Sequence, residues 1–168
     1  MFSWHLLYNY DIFKYTDVYF IDKVKMKNQK TKERVLFICK NNSARSQMAE
    51  GLLKSIYGKN FDVYSAGSNP GSVNPYAVKV LEEVGVNISD NRSKSLKEFE
   101  GFEFNYVVTV CVGEGEACPF FHGGKTYLHK SFEDPAAVDG TDHEKTDAFR
   151  KIRDEIKEWI KVTFYRGE

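Results

Sequence analysis

A short apolar run that leads into an amphipathic helix constrains the fold most strongly. Val35-Leu36-Phe37-Ile38 is apolar and β-favouring, which predicts a buried strand that ends at Cys39. From Ser46 to Tyr57 the apolar residues recur at helical spacing, and Gly58 is a suitable stop. The chain therefore passes from a buried strand, through a short polar loop, into a helix that packs on the sheet.

The same alternation continues along the chain. Asn74-Pro75 is a cap residue followed by a first-turn proline, which predicts a helix start, and a long amphipathic helix is predicted from Asp142 to Val162. Further predicted elements are strands at 61–65, 106–110 and 125–129, a short helix at 96–99 and a loop at 111–124. Alternation of this kind predicts a parallel sheet covered on both faces. We expect an α/β fold: a single three-layer domain with a four-stranded parallel sheet flanked by helices.

The length of 168 residues suits one domain, which we assign to residues 33–168. Residues 1–32 are predicted to be an N-terminal extension that contains no secretory signal and no run of about 20 apolar residues. Its first 25 residues are interpreted as an appendage, as an amphipathic segment packed on the domain, or as untranslated sequence before Met26. The formal net charge of zero gives no indication of nucleic acid or a membrane as partner.

The loop after the first strand carries the chemistry. Its sequence is Cys39-Lys40-Asn41-Asn42-Ser43-Ala44-Arg45-Ser46. Backbone N–H groups of such a loop can surround a tetrahedral oxyanion, and the following helix adds the positive end of its dipole. The planar fork of Arg45 can bind two oxygens, and the same field favours the reactive thiolate of Cys39. Residues 40–46 are therefore the predicted oxyanion-binding segment. The alternative is that the segment binds no anion and contains only a buried cysteine with an incidental arginine.

Residues 35–53, VLFICKNNSARSQMAEGLL, resemble the opening of the low-molecular-weight tyrosine phosphatase fold. The run SQMAEG resembles the thioredoxin-coupled arsenate reductase branch of that superfamily more closely. Tyr64-Ser65-Ala66-Gly67 and Val73-Asn74-Pro75 resemble the same branch. The resemblance extends from about Arg34 to about Lys161 and implies that arsenate is reduced to arsenite, with phosphate as a competing oxyanion.

Cys111 and Cys118 lie seven positions apart on a glycine-containing loop, and the resemblance implies that they work with Cys39. Cys39 would attack arsenic, Cys111 would attack the sulfur of Cys39, and Cys118 would move the disulfide to Cys111–Cys118. External thioredoxin would reset the enzyme, with no bound cofactor and no metal. The alternatives are inert thiols or a zinc site with His122 and His129. Three cysteines fit a reducing compartment, so we expect a cytoplasmic protein.

Two further positions follow from the resemblance. Asp134, in an Asp-Pro pair, is the implied general acid, and its alternative role is that of a turn residue. Ser65 resembles a serine that some relatives use beside a potassium ion, but Arg92 and Lys94 stand where those relatives have neutral and acidic groups. A lysine ammonium is therefore expected to replace the ion.

Two other functions remain open. A low-molecular-weight phosphatase acting on aryl phosphates would need only Cys39, Arg45 and Asp134. A thiol-based sensor of arsenite or metal would not be an enzyme.

Overall fold

The computed structural model describes residues 31–112 and 119–167. The predictions for the N-terminal extension and for Cys118 therefore fall outside the described residues, and the domain boundary at residue 32 stays a prediction. No helix in the described ranges is long and apolar enough to cross a membrane.

Four parallel strands form the sheet. They are β1 (Glu33–Cys39), β2 (Phe61–Gly67), β3 (Phe104–Thr109) and β4 (Gly124–His129), in the spatial order β2-β1-β3-β4. The helices are α1 (Arg45–Tyr57), α2 (Pro75–Glu82) and α3 (Asp142–Thr163), with short 3₁₀ helices at Leu96–Phe99 and Pro135–Ala137. The predicted four-stranded parallel α/β fold is confirmed.

Alternate residues of β1 face opposite sides of the sheet, as the period of a strand requires. Val35 and Phe37 join the larger core, which α1, α2 and α3 cover with side chains such as Phe149. Leu36 and Ile38 join a smaller core beneath the short helix Leu96–Phe99. β1 is thus buried on both faces of the sheet, which explains why this strand is apolar without alternation.

The boundaries of several elements differ from those predicted. β2 continues through Gly67 instead of ending at residue 65, and β3 spans Phe104–Thr109 where residues 106–110 were predicted. The buried face of α2 consists of Ala77, Val80 and Leu81. The helix ends at Glu82, and Glu83 is its C-cap.

The topology brings the ends of two strands together. β1 and β3 are neighbours, with Ile38 opposite Thr109, and the Val110 N–H donates to the Ile38 carbonyl at 2.9 Å. Cys39 therefore ends one strand, and Cys111 lies two residues beyond the end of the adjacent strand. Ligand sites of parallel α/β sheets form at this carboxyl edge.

Candidate active site

Cys39 is the last residue of β1, and its side chain is 3% exposed. Residues 40–44 form the loop that joins it to α1. The first four carbonyls of this loop accept hydrogen bonds from other segments of the chain. The donors are Asn69 N to Lys40 O (2.9 Å), Gly71 N to Asn41 O (3.1 Å), Ser93 Oγ to Asn42 O (2.6 Å) and Asn74 N to Ser43 O (2.9 Å).

Because these carbonyls point out of the loop, they determine the direction of the backbone N–H groups that follow them. In a planar trans peptide the N–H points opposite to the C=O of the same unit. The N–H groups that follow the four carbonyls therefore turn toward the centre of the loop, and that of Asn42 reaches Cys39 Sγ at 3.2 Å. Convergent N–H groups of this kind make a concave anion-binding site.

The start of α1 adds to this field. Its N-cap residue, Ala44, has no side chain that could accept a hydrogen bond from the first turn. The helix N-terminus therefore keeps N–H groups and partial positive charge for an anion in the loop. A serine or aspartate at position 44 would compete for those donors.

Ser46 lies beside Cys39, the predicted nucleophile. Its Oγ is 2.9 Å from Cys39 Sγ, and Ser46 itself is fully buried. The side-chain amide of Asn42 donates to the same Oγ at 2.9 Å. With a lone pair of Ser46 occupied in this way, its own hydrogen is available for the sulfur, which stabilises a thiolate.

Asn42 joins the loop to its surroundings. It has a left-handed backbone (φ 46°) and is fully buried. Its Oδ1 accepts from Lys94 N at 2.7 Å and from Gln47 Nε2 at 3.0 Å. These obligate donors fix the amide orientation, so that Nδ2 must donate to Ser46 and, at 2.8 Å, to Ser65 Oγ.

Gly67 shows how closely the backbone approaches the loop. A Cβ there would lie 2.6 Å from Lys40 O and 2.8 Å from Asn42 N. Any side chain would therefore displace the oxyanion loop, which explains why the resemblance at residues 64–67 ends in glycine.

Arg45 and Asp134 meet at the mouth of the loop. Arg45 Nη2 is 3.2 Å from Asp134 Oδ2, and Arg45 Nη1 donates to Phe132 O at 3.2 Å. The arginine is buried, whereas a third of the Asp134 side chain is exposed. Asp134 also caps the helix Pro135–Ala137 by accepting from Ala136 N at 3.1 Å, so the geometry accommodates both the acid and the turn role.

The second cysteine is buried at the adjacent strand end. Cys111 is fully buried and disulfide-bonded, whereas Cys39 is a free thiol. The proposed zinc ligand His129 lies within hydrogen-bond distance of Thr109 (2.8 Å) and Ser131 (3.2 Å). In the described ranges no group of three or more His, Cys, Asp or Glu side chains could hold a metal ion.

Residues that the sequence analysis did not single out complete the site. Glu50 is 6% exposed, and its Oε2 accepts from Ser65 Oγ at 2.5 Å and from Lys94 Nζ at 3.2 Å. Gln47 is fully buried against Asn42. The sequence feature that could have identified Glu50 is its position four residues after Ser46, which places both polar residues on one face of α1.

Fold and site together define a class of enzyme in which a cysteine at the end of a strand attacks an oxyanion held by backbone N–H groups. A family model described as low molecular weight phosphotyrosine protein phosphatase matches residues 34–164. The chain belongs to this family.

Proteins with a sequence similar to that of this chain are named for a redox activity. The arsenate reductase of Halalkalibacterium halodurans is 43% identical over 137 residues, covering 82% of this chain and 99% of the relative. That of Bacillus subtilis is 39% identical over 127 residues, covering 76% and 91%. A solved arsenate reductase in the phosphate binding state is 31% identical with a TM-score of 0.66, covering 77% of this chain and 95% of that one. The thioredoxin-dependent arsenate reductase of Corynebacterium glutamicum is 31% identical with a TM-score of 0.57, covering 89% and 71%.

Proposed function

We propose that this protein reduces arsenate to arsenite, with Cys39 as nucleophile and Cys111 and Cys118 as the source of the two electrons. The observation that carries the proposal is the location of two buried cysteines at adjacent strand ends, one of them inside an oxyanion loop. A phosphatase needs only the first of these cysteines. The arsenate reductase names of the relatives support the same reading.

The first step is attack on arsenic. The Cys39 thiolate forms a sulfur–arsenic(V) bond, and one arsenate oxygen leaves as water after protonation by Asp134. Arg45 turns from Asp134 to two oxygens of the substrate, and the loop N–H groups bind the others. Arsenic keeps its oxidation state in this step.

The second step carries the electrons. The Cys111 thiolate attacks the Cys39 sulfur, the sulfur–arsenic bond breaks, and its electron pair stays on arsenic, which leaves as arsenite. Cys118 then attacks Cys111 and releases the Cys39 thiolate. The free thiol at Cys39 and the disulfide at Cys111 are consistent with the last state of this relay. Thioredoxin, as a dithiol protein of the cytoplasm, returns the two electrons, and no resident cofactor takes part.

The decisive experiment is Cys111→Ser. Arsenate-dependent NADPH oxidation with thioredoxin and thioredoxin reductase should fall to background, because the arsenic–sulfur adduct has no resolving thiolate. Hydrolysis of p-nitrophenyl phosphate, if the wild type shows any, should persist, because it needs no second thiol. Arsenate turnover at the wild-type rate in Cys111→Ser would refute the mechanism.

Two controls separate the alternatives. Replacing the thioredoxin system by glutaredoxin and glutathione identifies the reductant, and only the thioredoxin system should support turnover. Metal analysis of the purified, reduced protein tests the sensor: stoichiometric zinc together with absent arsenate turnover would favour the sensor over the enzyme.

A further inference from the structure

A cleft lies at the amino edge of the sheet, at the opposite end of the strands from the oxyanion loop. Its volume is about 850 Å³, which is within the range of small-molecule sites. The end of α1, the turn that leads into β2 and the segment after α3 form its walls. Lys32 and Asn60, which directly precede β1 and β2, also line it. The reaction steps proposed above use no residue of this cleft.

Positive side chains surround the cleft. They are Lys32, Lys54, Lys59 and Arg166. Two of them have a carboxylate partner outside the lining: Lys32 is 3.6 Å from Asp62, and Arg166 is 3.2 Å from Glu33. Lys54 and Lys59 form no ion pair with any residue that the structure describes. Two positive charges therefore remain uncompensated beside one concave surface, which favours an anionic ligand.

The end of α1 explains only part of this charge. A helix C-terminus carries partial negative charge that favours a nearby cation, and Lys54 lies in the last turn of α1. The effect falls off within one turn, and the other three cations come from outside the helix. Their convergence on the cleft therefore has a cause other than the helix dipole.

The guanidinium of Arg166 is already immobilised in the wall of the cleft. Its Nη2 donates to the Tyr106 hydroxyl at 2.9 Å and to Glu33, and the group lies 5.1 Å from the centre of the Phe61 ring. Its Nη1 donates to the Tyr165 carbonyl at 3.3 Å. A side chain that is ordered in advance loses less conformational entropy when a ligand binds.

Two aromatic side chains complete the lining. Tyr57 is half-buried, whereas Tyr165 is 64% exposed. Planar bases stack on exposed aromatic rings whatever their sequence, because each base has a π-face. A cationic cleft with an exposed ring therefore matches a nucleotide, while a free polyphosphate would use the cations alone.

We propose that this cleft binds a polyphosphate chain, with Lys54, Lys59 and Arg166 on the phosphates and Tyr165 on the base where the chain belongs to a nucleotide. Lysine contacts phosphate as a point charge, and the arginine fork contacts phosphate oxygens in a fixed geometry. The proposal does not depend on arsenate reduction, since no step of that reaction involves the cleft.

The test is isothermal titration calorimetry of the full-length protein with ATP and, separately, with tripolyphosphate, without divalent cations. We expect a dissociation constant below about 1 mM for at least one of the two ligands. Lys54→Ala/Lys59→Ala should weaken binding about tenfold or more, because it removes both uncompensated charges. Both residues are exposed, so the double variant should fold.

Tyr165→Ala distinguishes the two sources of the phosphate chain. Loss of a stacking contact should weaken ATP binding about tenfold and leave tripolyphosphate unchanged. Equal affinities of Tyr165→Ala and wild type for ATP would assign the cleft to free polyphosphate, with the phosphate contacts intact.

Two controls exclude binding elsewhere. Lys97→Ala/Lys125→Ala removes the same charge from exposed positions outside the cleft and should bind both ligands as the wild type does. Arg45→Ala disables the oxyanion loop and should also retain binding. The proposal is overturned if neither ligand binds the wild type at 1 mM, if the two double variants weaken binding equally, or if binding is lost in Arg45→Ala and kept in Lys54→Ala/Lys59→Ala.

Discussion

Arg45 and Asp134 hold each other across the mouth of the oxyanion loop, with 3.2 Å between Nη2 and Oδ2. The pair joins the residue proposed to bind the oxyanion to the residue proposed to protonate the leaving oxygen. An incoming oxyanion competes with the Asp134 carboxylate for the same guanidinium fork. Binding of substrate therefore releases the Asp134 carboxylate from the guanidinium.

Asp134→Asn separates the acid role from the turn role. Asparagine caps a helix as well as aspartate does, so the turn before Pro135 should be retained. If Asp134 protonates the leaving oxygen, kcat for arsenate should fall about 10²- to 10⁴-fold with little change in KM. Steady-state kinetics with the thioredoxin system measures both constants.

The neighbouring carboxylate provides the control for this variant. Glu133 is exposed and pairs with Lys151 on the surface. Glu133→Gln should leave kcat within about twofold of wild type, since an exposed pair contributes little. An Asp134→Asn enzyme as fast as Glu133→Gln would mean that Asp134 serves only the turn.

Ser46→Ala tests the hydrogen bond to the nucleophile. Loss of a hydrogen bond to a charged group costs about 1.5 to 3 kcal/mol, so alkylation of Cys39 at neutral pH should slow about tenfold or more. The variant is compared with Ser55→Ala, which removes an exposed hydroxyl from the same helix. Equal alkylation rates in the two variants would show that Ser46 does not stabilise the thiolate.

The sequence predicted the parts of this site that lie close together in the chain. Residues 39–46 are contiguous, and their chemistry could be interpreted from residue type and spacing alone. The partners of Asn42 could not, because Ser65, Ser93 and Lys94 approach it only after β2 and the segment before the helix Leu96–Phe99 have packed beside the loop. For the same reason β2 extends to Gly67, whose pairing with Cys39 depends on the neighbouring strand and not on local propensity.

Glu50 illustrates a different limit. A glutamate in an amphipathic helix is usually solvated, and nothing within α1 indicates that this one is 94% shielded from solvent. Its environment is created by Ser65 from β2 and Lys94 from the later segment. Only the tertiary structure places a cation and a hydroxyl on that carboxylate.

Arsenate reduction by the wild-type protein should not depend on the identity of the monovalent cation. The ammonium of Lys94 already lies beside Glu50 and the Ser65 hydroxyl, where an added potassium ion would need the same carboxylate oxygen. We expect kcat/KM in potassium and sodium salts of equal ionic strength to agree within about twofold, in line with the small screening differences between such salts. A steep rise with potassium alone would show that Lys94 does not replace the ion.

The pH dependence of the free energy of unfolding should report the ion pairs that connect the end of α2 to α3. Arg150 donates to both oxygens of Glu83, at 2.9 and 2.6 Å, and Arg153 donates to one of them at 3.1 Å. The hydrogen bonds from Arg150, followed by those from Arg153, lower the pKa of Glu83 from 4.5 to about 2. The folded state therefore binds the proton of Glu83 more weakly than the unfolded chain does.

A carboxyl group whose pKa is lower in the folded state stabilises the fold at pH values above its pKa in the unfolded chain. This stabilisation is lost as the pH falls through the pKa of the group in the folded state. Glu83→Gln should therefore unfold at lower urea concentration than wild type at pH 7, and the difference should shrink between pH 4.5 and about 2. Urea titrations at pH 7, 5, 4 and 3 measure this difference. Glu82→Gln changes the exposed last residue of α2 and should show no such dependence. If the loss of stability in Glu83→Gln stayed constant with pH, it would come from packing and not from charge.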